Sequence, residues 1–237
     1  MNKLFLIIFI LCCTFSLDAQ IMSAKITYER KTNLYKKFKN DDVTNWLKEA
    51  DKIKIDFFEL TFNDTCSLFK PQESELRETM EWATSKNTVY QNLNTKKRYL
   101  IKSMWGEELH LTDSLYKRKW KITESSRKIA GFNCRKAIWQ ANDTTRIYAW
   151  FSYDIVPSMG PESFNGLPGT ILGLATEDGG VIYFAKKIEM FNPVASTFIP
   201  PKKKKTYTIP ELKAEMTKRY GKEKWFKGMM QNHFGVW

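Results

Sequence analysis

Hydrophobic and polar residues alternate along most of the chain, and such alternation is typical of half-buried β-strands. The first clear example is the segment 24–30, in which Ile26 and Tyr28 share a face. Turn-forming residues separate further segments of this kind at intervals of about 8–12 residues, the spacing of antiparallel sheets. The later predicted strands are 52–63, 66–69, 88–91, 97–104, 107–111, 119–124, 127–140 with a break near Gly131, 145–152, 170–176 and 181–190.

One predicted strand, 52–63, has hydrophobic residues on both faces. Ile55 and Phe57 lie on one side, whereas Phe58 and Leu60 lie on the other. This change of face predicts a β-bulge or a local twist after Phe57.

Helical patterns occur at two places. Residues 41–51 have hydrophobic residues at helical spacing and predict a short helix or a loop. Near the end of the chain, Thr208 and Glu211 form a capping-box sequence with Pro210 between them, which predicts the start of a helix. The apolar stripe of this helix is Leu212, Met216 and Tyr220.

These elements define a mainly β fold, because strands do not alternate with helices as they do in nucleotide-binding α/β folds. We expect a curved antiparallel sheet or open barrel, with a short helix near residues 41–51 and a C-terminal helix. The sheet is assigned to residues 20–192, and residues 193–237 to a basic linker and an amphipathic helix.

The first nineteen residues have the layout of a secretory signal peptide. Lys3 precedes an apolar run of about ten residues, half the length that a membrane-spanning helix needs. Cleavage near Ala19 would release an exported protein, periplasmic or associated with the outer membrane. One less favoured alternative is a buried N-terminal helix. The other is lipidation at Cys12 or Cys13, which is less favoured because no small residue precedes either cysteine.

The charge of the chain is concentrated at one end. The formal net charge is +12, and residues 202–237 alone account for +7, with 10 Lys and Arg against 3 Asp and Glu. The basic C-terminal arm is therefore predicted to contact an anionic surface. Nucleic acid is not an expected partner, because the chain is predicted to be exported and has no recognition motif.

Cleavage of the leader leaves two cysteines, Cys66 and Cys134. In an oxidising compartment they can form a disulfide, and the alternative is two buried thiols. The disulfide is slightly favoured.

The supply of catalytic side chains is small. The chain has two histidines, His110 and His233, and no Gly-x-Ser-x-Gly motif, so we predict no enzymatic activity. Ser158 and Ser163 are interpreted as exposed loop residues without a base. His110 with Glu108 is interpreted as part of a polar strand face, and no metal site or cofactor is predicted.

Two short segments resemble the sequons for O-glycosylation of exported Bacteroidota proteins. They are Asp113-Ser114-Leu115 and Asp143-Thr144-Thr145, and both lie near predicted strand ends. Ser114 and Thr144 are therefore candidate modification sites.

Residues 157–169 are unusually rich in glycine and proline. Such residues restrict the backbone to particular φ values and so specify a defined loop. The favoured interpretation is a structural loop that packs Leu167 into the core, and the alternative is a ligand loop that uses backbone N–H groups. It is not a phosphate loop, since neither Gly-Lys-Ser/Thr nor a helix follows it.

The hexapeptide 166–171, Gly-Leu-Pro-Gly-Thr-Ile, resembles the motif of the GLPGLI family of exported Bacteroidota proteins, with Thr170 where the family has leucine. Segments 120–122, 128–137, 149–155 and 160–161 match further motifs of that family in the same order. One set of residues forms both the family motif and the candidate recognition loop. These residues are Trp150, Pro157, Gly160, Pro161, Gly166, Leu167, Pro168 and Gly169.

The resemblance implies a compartment but no chemistry, because the family has no established activity. We expect a non-enzymatic envelope protein that binds a hydrophobic, lipid-like ligand or an outer-membrane partner. The alternative is an accessory module of a TonB-dependent transport system, with a metal-related role as one form of it. The curved sheet supports the first hypothesis only by analogy with exported carriers of acyl chains.

Overall fold

The computed structural model describes residues 20–39, 42–72, 80–104, 106–203 and 205–234. The predicted signal peptide lies outside these ranges. The described strands form one antiparallel sheet of eleven strands in the order β6-β5-β4-β3-β2-β1-β11-β10-β9-β8-β7. The strands are β1 Ala24–Asn33, β2 Ile53–Phe62, β3 Cys66–Pro71, β4 Thr88–Asn92, β5 Lys97–Met104, β6 Glu107–Ser114, β7 Lys121–Ile129, β8 Phe132–Asn142, β9 Thr145–Ser152, β10 Thr170–Thr176 and β11 Val181–Met190. The predicted mainly β class is confirmed.

The connection between β6 and β7 explains why the sheet is curved. These strands are consecutive in sequence, yet they form the two opposite edges of the sheet. Eleven strands spaced by about 4.8 Å make a flat sheet about 48 Å wide. The connecting residues 115–120 extend to only about 25 Å, at about 3.5 Å per residue. The edges must therefore approach each other, and the connection crosses the open side of the curved sheet.

Strand β2 does not contain the predicted bulge. It pairs with β1 in continuous register from Ile53 to Phe62, and the irregular step lies between Thr27 and Tyr28 in the pairing of β1 with β11. The side chains of Lys54 and Asp56 are buried on the same face as Phe58, whereas Ile53, Ile55 and Phe57 are exposed. The alternation is thus regular, but charged residues occupy two inward positions.

The prediction and the structure also differ in β7. A break was predicted between 124 and 127, but the strand continues through these residues, with a register shift against β8 between Ile122 and Ser126. The turn that follows is Ala130-Gly131, and both residues have positive φ. This geometry suits the twist of a tight hairpin.

The main core lies inside the curved sheet. Phe58 and Phe69 stack with ring centroids 4.9 Å apart, and Tyr183 packs against both rings. The hydroxyl of buried Tyr28 donates to the carbonyl of Ile171, at 2.6 Å. This bond joins β1 to β10 across the intervening β11 at the centre of the sheet.

Helices occupy three places. Helix α1, Leu34–Lys37, follows β1, and two short 3-10 turns, Asp42–Asn45 and Glu49–Asp51, stand where a short helix was predicted. Helix α2, Ile209–Tyr220, begins with the predicted capping box of Thr208 and Glu211, and α3 spans Phe226–Phe234. Among the described residues, no helix is long and apolar enough to cross a membrane.

Helix α2 packs against the edge of the sheet. Leu212 and Met216 are buried together with Leu111 of β6, which confirms the predicted apolar stripe. Just before the helix, Tyr207 forms a parallel bridge with Leu111. The Tyr207 amide donates to the His110 carbonyl, and the Tyr207 carbonyl accepts from the Thr112 amide. The bridge satisfies backbone groups that an edge strand would otherwise expose.

The disulfide between Cys66 and Cys134 is not present, because both thiols are free. Cys66 begins β3 and Cys134 lies in β8, and five strands separate β3 from β8 in the sheet. Cys134 is buried, and burial raises the pKa of its thiol to about 11. The alternative of two unbonded cysteines is therefore the observed arrangement.

Candidate functional site

A cavity of about 600 Å³ lies on the inner side of the curved sheet. It is bounded by strands β4, β5, β6 and β8, by the crossing connection 115–120, by the loop 157–169 and by the start of helix α2. Ligand sites in proteins commonly have volumes of about 300–1,000 Å³. The cavity is thus the candidate site.

Aliphatic and aromatic side chains form much of the cavity wall. The sheet contributes Leu100 and Leu111, and the C-terminal helices contribute Ile209 and Phe234. Trp139 and Phe164 complete this wall in an edge-to-face arrangement, with ring centroids 6.1 Å apart. A hydrophobic group inside the cavity would meet side chains from four separate parts of the chain.

The charged residues of the cavity are mostly cationic. Among the described lining residues, Arg98, Lys102, Arg118 and Lys213 are basic, whereas Asp113 and Glu162 are acidic. Burial lowers the pKa of Lys102, and Arg30 adds to this effect while Glu162 opposes it. Burial also lowers the pKa of Arg118 to about 10, and the nearby positive charge of Arg98 contributes.

Glu162 connects the loop 157–169 to the sheet. Its carboxyl accepts hydrogen bonds from the Tyr183 hydroxyl at 2.8 Å and from Asn87 Nδ2 at 3.1 Å, and only 4% of the residue is exposed. Its φ of 55° is in the left-handed region, which is uncommon for a residue other than glycine. Such strain persists where the surroundings hold the residue firmly.

Ser163, the next residue, contacts two arginines of the cavity. Arg98 Nη1 donates to its hydroxyl oxygen at 2.7 Å, and Arg118 Nη1 donates to its carbonyl oxygen at 3.1 Å. Ser163 is buried, so the interpretation of it as an exposed loop residue is wrong. Trp120 supports the same loop by donating from Nε1 to the carbonyl of Asn165, at 2.9 Å.

Behind Glu162, a network of buried charges extends to β2. Arg30 donates to Asp56 Oδ2 from Nη2 at 2.6 Å and from Nε at 3.2 Å, and Lys54 Nζ lies 3.1 Å from Asp56 Oδ1. Burial raises the pKa of the Asp56 carboxyl, but Arg30 and Lys54 outweigh it and hold the pKa below its ordinary value. Arg30 also donates to the Tyr183 hydroxyl, at 3.3 Å, which connects the network to Glu162.

The glycines and prolines of the predicted motif shape this loop rather than line the cavity. Gly169 has a φ of 148°, and a Cβ at this position would overlap the Ser152 carbonyl. A Cβ on Gly160 would lie 2.9 Å from Cβ of Ile171. Leu167 is buried in the main core, as the favoured interpretation predicted.

The remaining motif residues also have structural positions. The carbonyl of buried Pro157 accepts a hydrogen bond from the Thr170 hydroxyl at 2.6 Å, which a leucine at 170 could not make. The carbonyl of buried Pro161 accepts from the amide of Phe164, whereas Gly166 and Pro168 are exposed. Trp150 is half-buried on β9 against Phe184, and it does not line the cavity.

Arg98, Arg118 and Glu162 are site residues that the sequence alone does not indicate. Each is a single charged residue in a strand, connection or loop, and charged residues at such positions are usually exposed. A usable signal was present in β2, where Lys54 and Asp56 fall on the buried face between hydrophobic neighbours. Charged residues in phase with a hydrophobic face indicate a buried polar network.

Other predicted sites stay separate from the cavity. Ser114 and Thr144 are exposed at the end of β6 and in the turn before β9. His110 is buried near the end of the linker, so the interpretation of it as part of a solvated polar strand face is wrong. The side chain of His233 lies outside the described part. The described residues contain no group of three His, Cys, Asp or Glu side chains that could hold a metal ion.

Comparison with known proteins finds a similarity in the part of the chain that contains the loop. A family model described as a protein of unknown function (Porph_ging), a family associated with Bacteroidota, matches residues 140–173, a range that contains the whole loop 157–169 and the hexapeptide. The GLPGLI assignment itself stays a prediction. The sequence matches none of the curated proteins with which it was compared.

The fold resembles that of solved structures. Two structures of PNGF-II, in space groups C2 and P21, match with TM-scores of 0.57 and 0.56 and sequence identities of 16% and 15%. The matches cover 81% and 82% of this chain, but it spans only 32% of the length of either structure. At this identity the likeness concerns the fold alone, which is shared with part of a larger protein.

Proposed function

We propose that this protein is an exported, non-enzymatic binding protein of the cell envelope, and that its hydrophobic ligand occupies the cavity beneath helix α2. The cavity itself is the observation that carries the proposal. It combines a volume suited to a small molecule with an apolar wall and a few convergent polar groups, the usual composition of ligand sites. The predicted signal peptide supports the assignment to the envelope.

The arrangement of the walls also supports a binding role. Helix α2 covers one side of the cavity through Ile209 and Lys213, and the loop 157–169 covers another through Ser163 and Phe164. The arginines at the loop have side-chain partners that hold them in place, but neither is adjacent to a described nucleophile with a general base. These features suit binding and positioning more than chemical conversion.

Native mass spectrometry of the protein purified gently from an envelope preparation tests the proposal. We expect an additional mass on the wild-type protein, since an apolar cavity in such an environment should retain its ligand. Ala141 lines the cavity, so Ala141→Trp should fill it and abolish the additional mass. Lys128→Trp, at an exposed position of β7, is the matched control and should retain it.

Two results would contradict the proposal. One is an additional mass that persists in Ala141→Trp, since the ligand would then lie elsewhere. The other is a wild-type protein that carries no ligand and also fails to take up Nile red, a neutral apolar probe.

A further inference from the structure

The two arginines bound to Ser163 have hydrogen-bonding capacity that the protein itself does not use. Nε of Arg98 and Nε of Arg118 are both buried, and neither has a hydrogen-bond partner. An unpartnered buried donor costs free energy, and more so on a charged group. Both residues line the cavity, so a ligand is the available source of an acceptor.

The neighbouring carboxylates form no ion pair with either arginine in the described structure. Asp113 lies opposite Arg98 in the pairing of β5 with β6, and its charge only partly opposes the effect of burial, which lowers the pKa of Arg98. Glu162 already accepts hydrogen bonds from Tyr183 and Asn87 and lies 3.9 Å from Arg30. The two guanidinium groups therefore repel each other, which contributes to the lowered pKa of Arg118.

Aromatic rings determine how Arg118 is presented. Its guanidinium carbon lies 4.1 Å from the ring centroid of Phe164, and 5.2 Å from the centroids of both Tyr116 and Trp139. Stacking against rings uses the face of the guanidinium group, whereas hydrogen bonds use its edge. The rings thus hold the group in position and leave its edge for an oxygen anion.

The apolar wall adjoins this pair. Phe164 packs on Arg118 and on Trp139, and Leu100, Leu111 and Phe234 line the same cavity. A ligand that used both features would need an anionic group and a hydrophobic body in one small molecule.

We infer that the ligand of the proposed binding site is an anionic amphiphile whose carboxylate or phosphate group binds Arg98 and Arg118. Its hydrophobic chain lies along the wall formed by Trp139, Leu100, Leu111 and Phe234. This inference rests on the proposed function and adds to it the sign of the charge and the orientation of the ligand. Arginine forks suit carboxylate and phosphate groups equally in geometry, so both belong to the predicted class.

Titration calorimetry of the ligand-free wild-type protein tests the inference with four amphiphiles that share a dodecyl chain. They are dodecanoate, dodecyl phosphate, dodecyl maltoside and dodecyltrimethylammonium, each kept below its critical micelle concentration. We expect the two anions to bind about 10- to 100-fold more tightly than the neutral maltoside, the range for a charge-assisted hydrogen bond, and the cation to bind most weakly. Inorganic phosphate and acetate should bind far more weakly than the dodecyl anions, because they lack the chain.

A double variant, Arg98→Gln with Arg118→Gln, assigns the effect to the pair. It should lose the preference for anions and keep the affinity for dodecyl maltoside within about 2-fold, which also shows that the cavity remains folded. The matched control is Lys97→Gln with Lys119→Gln, which removes the same charge from exposed neighbouring positions and should keep the preference.

The outcomes separate the two proposals. Equal binding of anionic and neutral amphiphiles to the wild type would overturn the inference and leave the proposed function standing. An unchanged anion preference in the arginine variant would overturn it as well, as would inorganic phosphate that binds as tightly as dodecyl phosphate. Failure of every amphiphile and of Nile red to bind would overturn the proposed function itself.

Discussion

Gly169 shows how one residue of the Gly/Pro-rich segment determines the shape of the loop beside the cavity. Its φ of 148° is accessible to glycine but rarely to other residues, and a Cβ would overlap the Ser152 carbonyl. The loop enters β10 directly after this residue. A change here would therefore displace the loop and with it Ser163, the common partner of the two arginines.

Gly169→Ala should lower the free energy of unfolding by about 3 kcal/mol or more, because backbone strain adds to a steric overlap. Gly131→Ala is the matched control, since Gly131 also has positive φ but has no atom near an added Cβ. It should lose only about 1–2 kcal/mol. Urea denaturation measures both, and equal losses would show that the contact with Ser152 contributes nothing.

The stability of the fold should also depend on Asp56, whose carboxylate pairs with two buried cations. Asp56→Asn would leave Arg30 and Lys54 without their carboxylate, and removing one partner of a buried pair costs about 3–5 kcal/mol. Asp64→Asn, at an exposed position, should have almost no effect.

The pKa of Asp56 is lowered in the folded state, so its contribution to stability is present above the unfolded pKa of about 3.9 and is lost as the pH falls through the folded value. Urea denaturation at neutral and acidic pH should find the difference between wild type and variant only at neutral pH.

At the scale of elements, the position of helix α2 depends on the bridge between Tyr207 and β6. Buried His110 lies at this bridge, with Nδ1 at 2.9 Å from the Tyr99 hydroxyl. That hydroxyl donates its one proton to the Pro201 carbonyl at 3.1 Å, so it accepts from Nδ1–H of the imidazole. Burial and the charge of Lys203 lower the pKa of His110, and Glu108, 3.8 Å away, opposes them. The linker before α2 therefore packs against a neutral imidazole.

Stability should fall as the pH decreases through about 6.5, the pKa of histidine in an unfolded chain, because the unfolded state then binds a proton that the folded state resists. Hydrogen exchange between about pH 7.5 and 5.5, about one unit to either side of that value, should report the loss of protection first at residues 207–220. His110→Gln should remove this pH dependence. An identical pH profile in the variant would assign the effect to another group.

Most elements could be predicted from alternation and turn residues. β5, β9, β10 and β11 have the predicted bounds, since each is a regular strand between clear turns. The capping box likewise identified the start of α2. The prediction failed where an element depends on distant residues. The change of face after Phe57 is not a bulge, because Lys54 and Asp56 occupy inward positions of β2, and only the ion pairs of Asp56 with Arg30 and Lys54 explain this burial.

At the scale of the whole molecule, the site depends on topology more than on any local motif. Arg98 lies in β5, Arg118 in the crossing connection and Ser163 in the loop before β10. These parts meet only because residues 115–120 span the two sheet edges. The Gly/Pro-rich loop could be recognised from the sequence as a defined structure, but the two arginines beside it could not, since nothing local indicates that they converge.

The same topology has a consequence for the order of folding. Strands β1 to β6 and β7 to β11 form two meanders of neighbouring hairpins, and the pairing of β1 with β11, for example Ala24 with Met190, joins them. Hairpins close short loops and form quickly, whereas contacts between distant residues form slowly. Pulsed hydrogen exchange during refolding should therefore protect the amides of β8 and β9 before those shared by β1 and β11. The protein becomes one cooperative body, with its inner cavity enclosed, only at that last step.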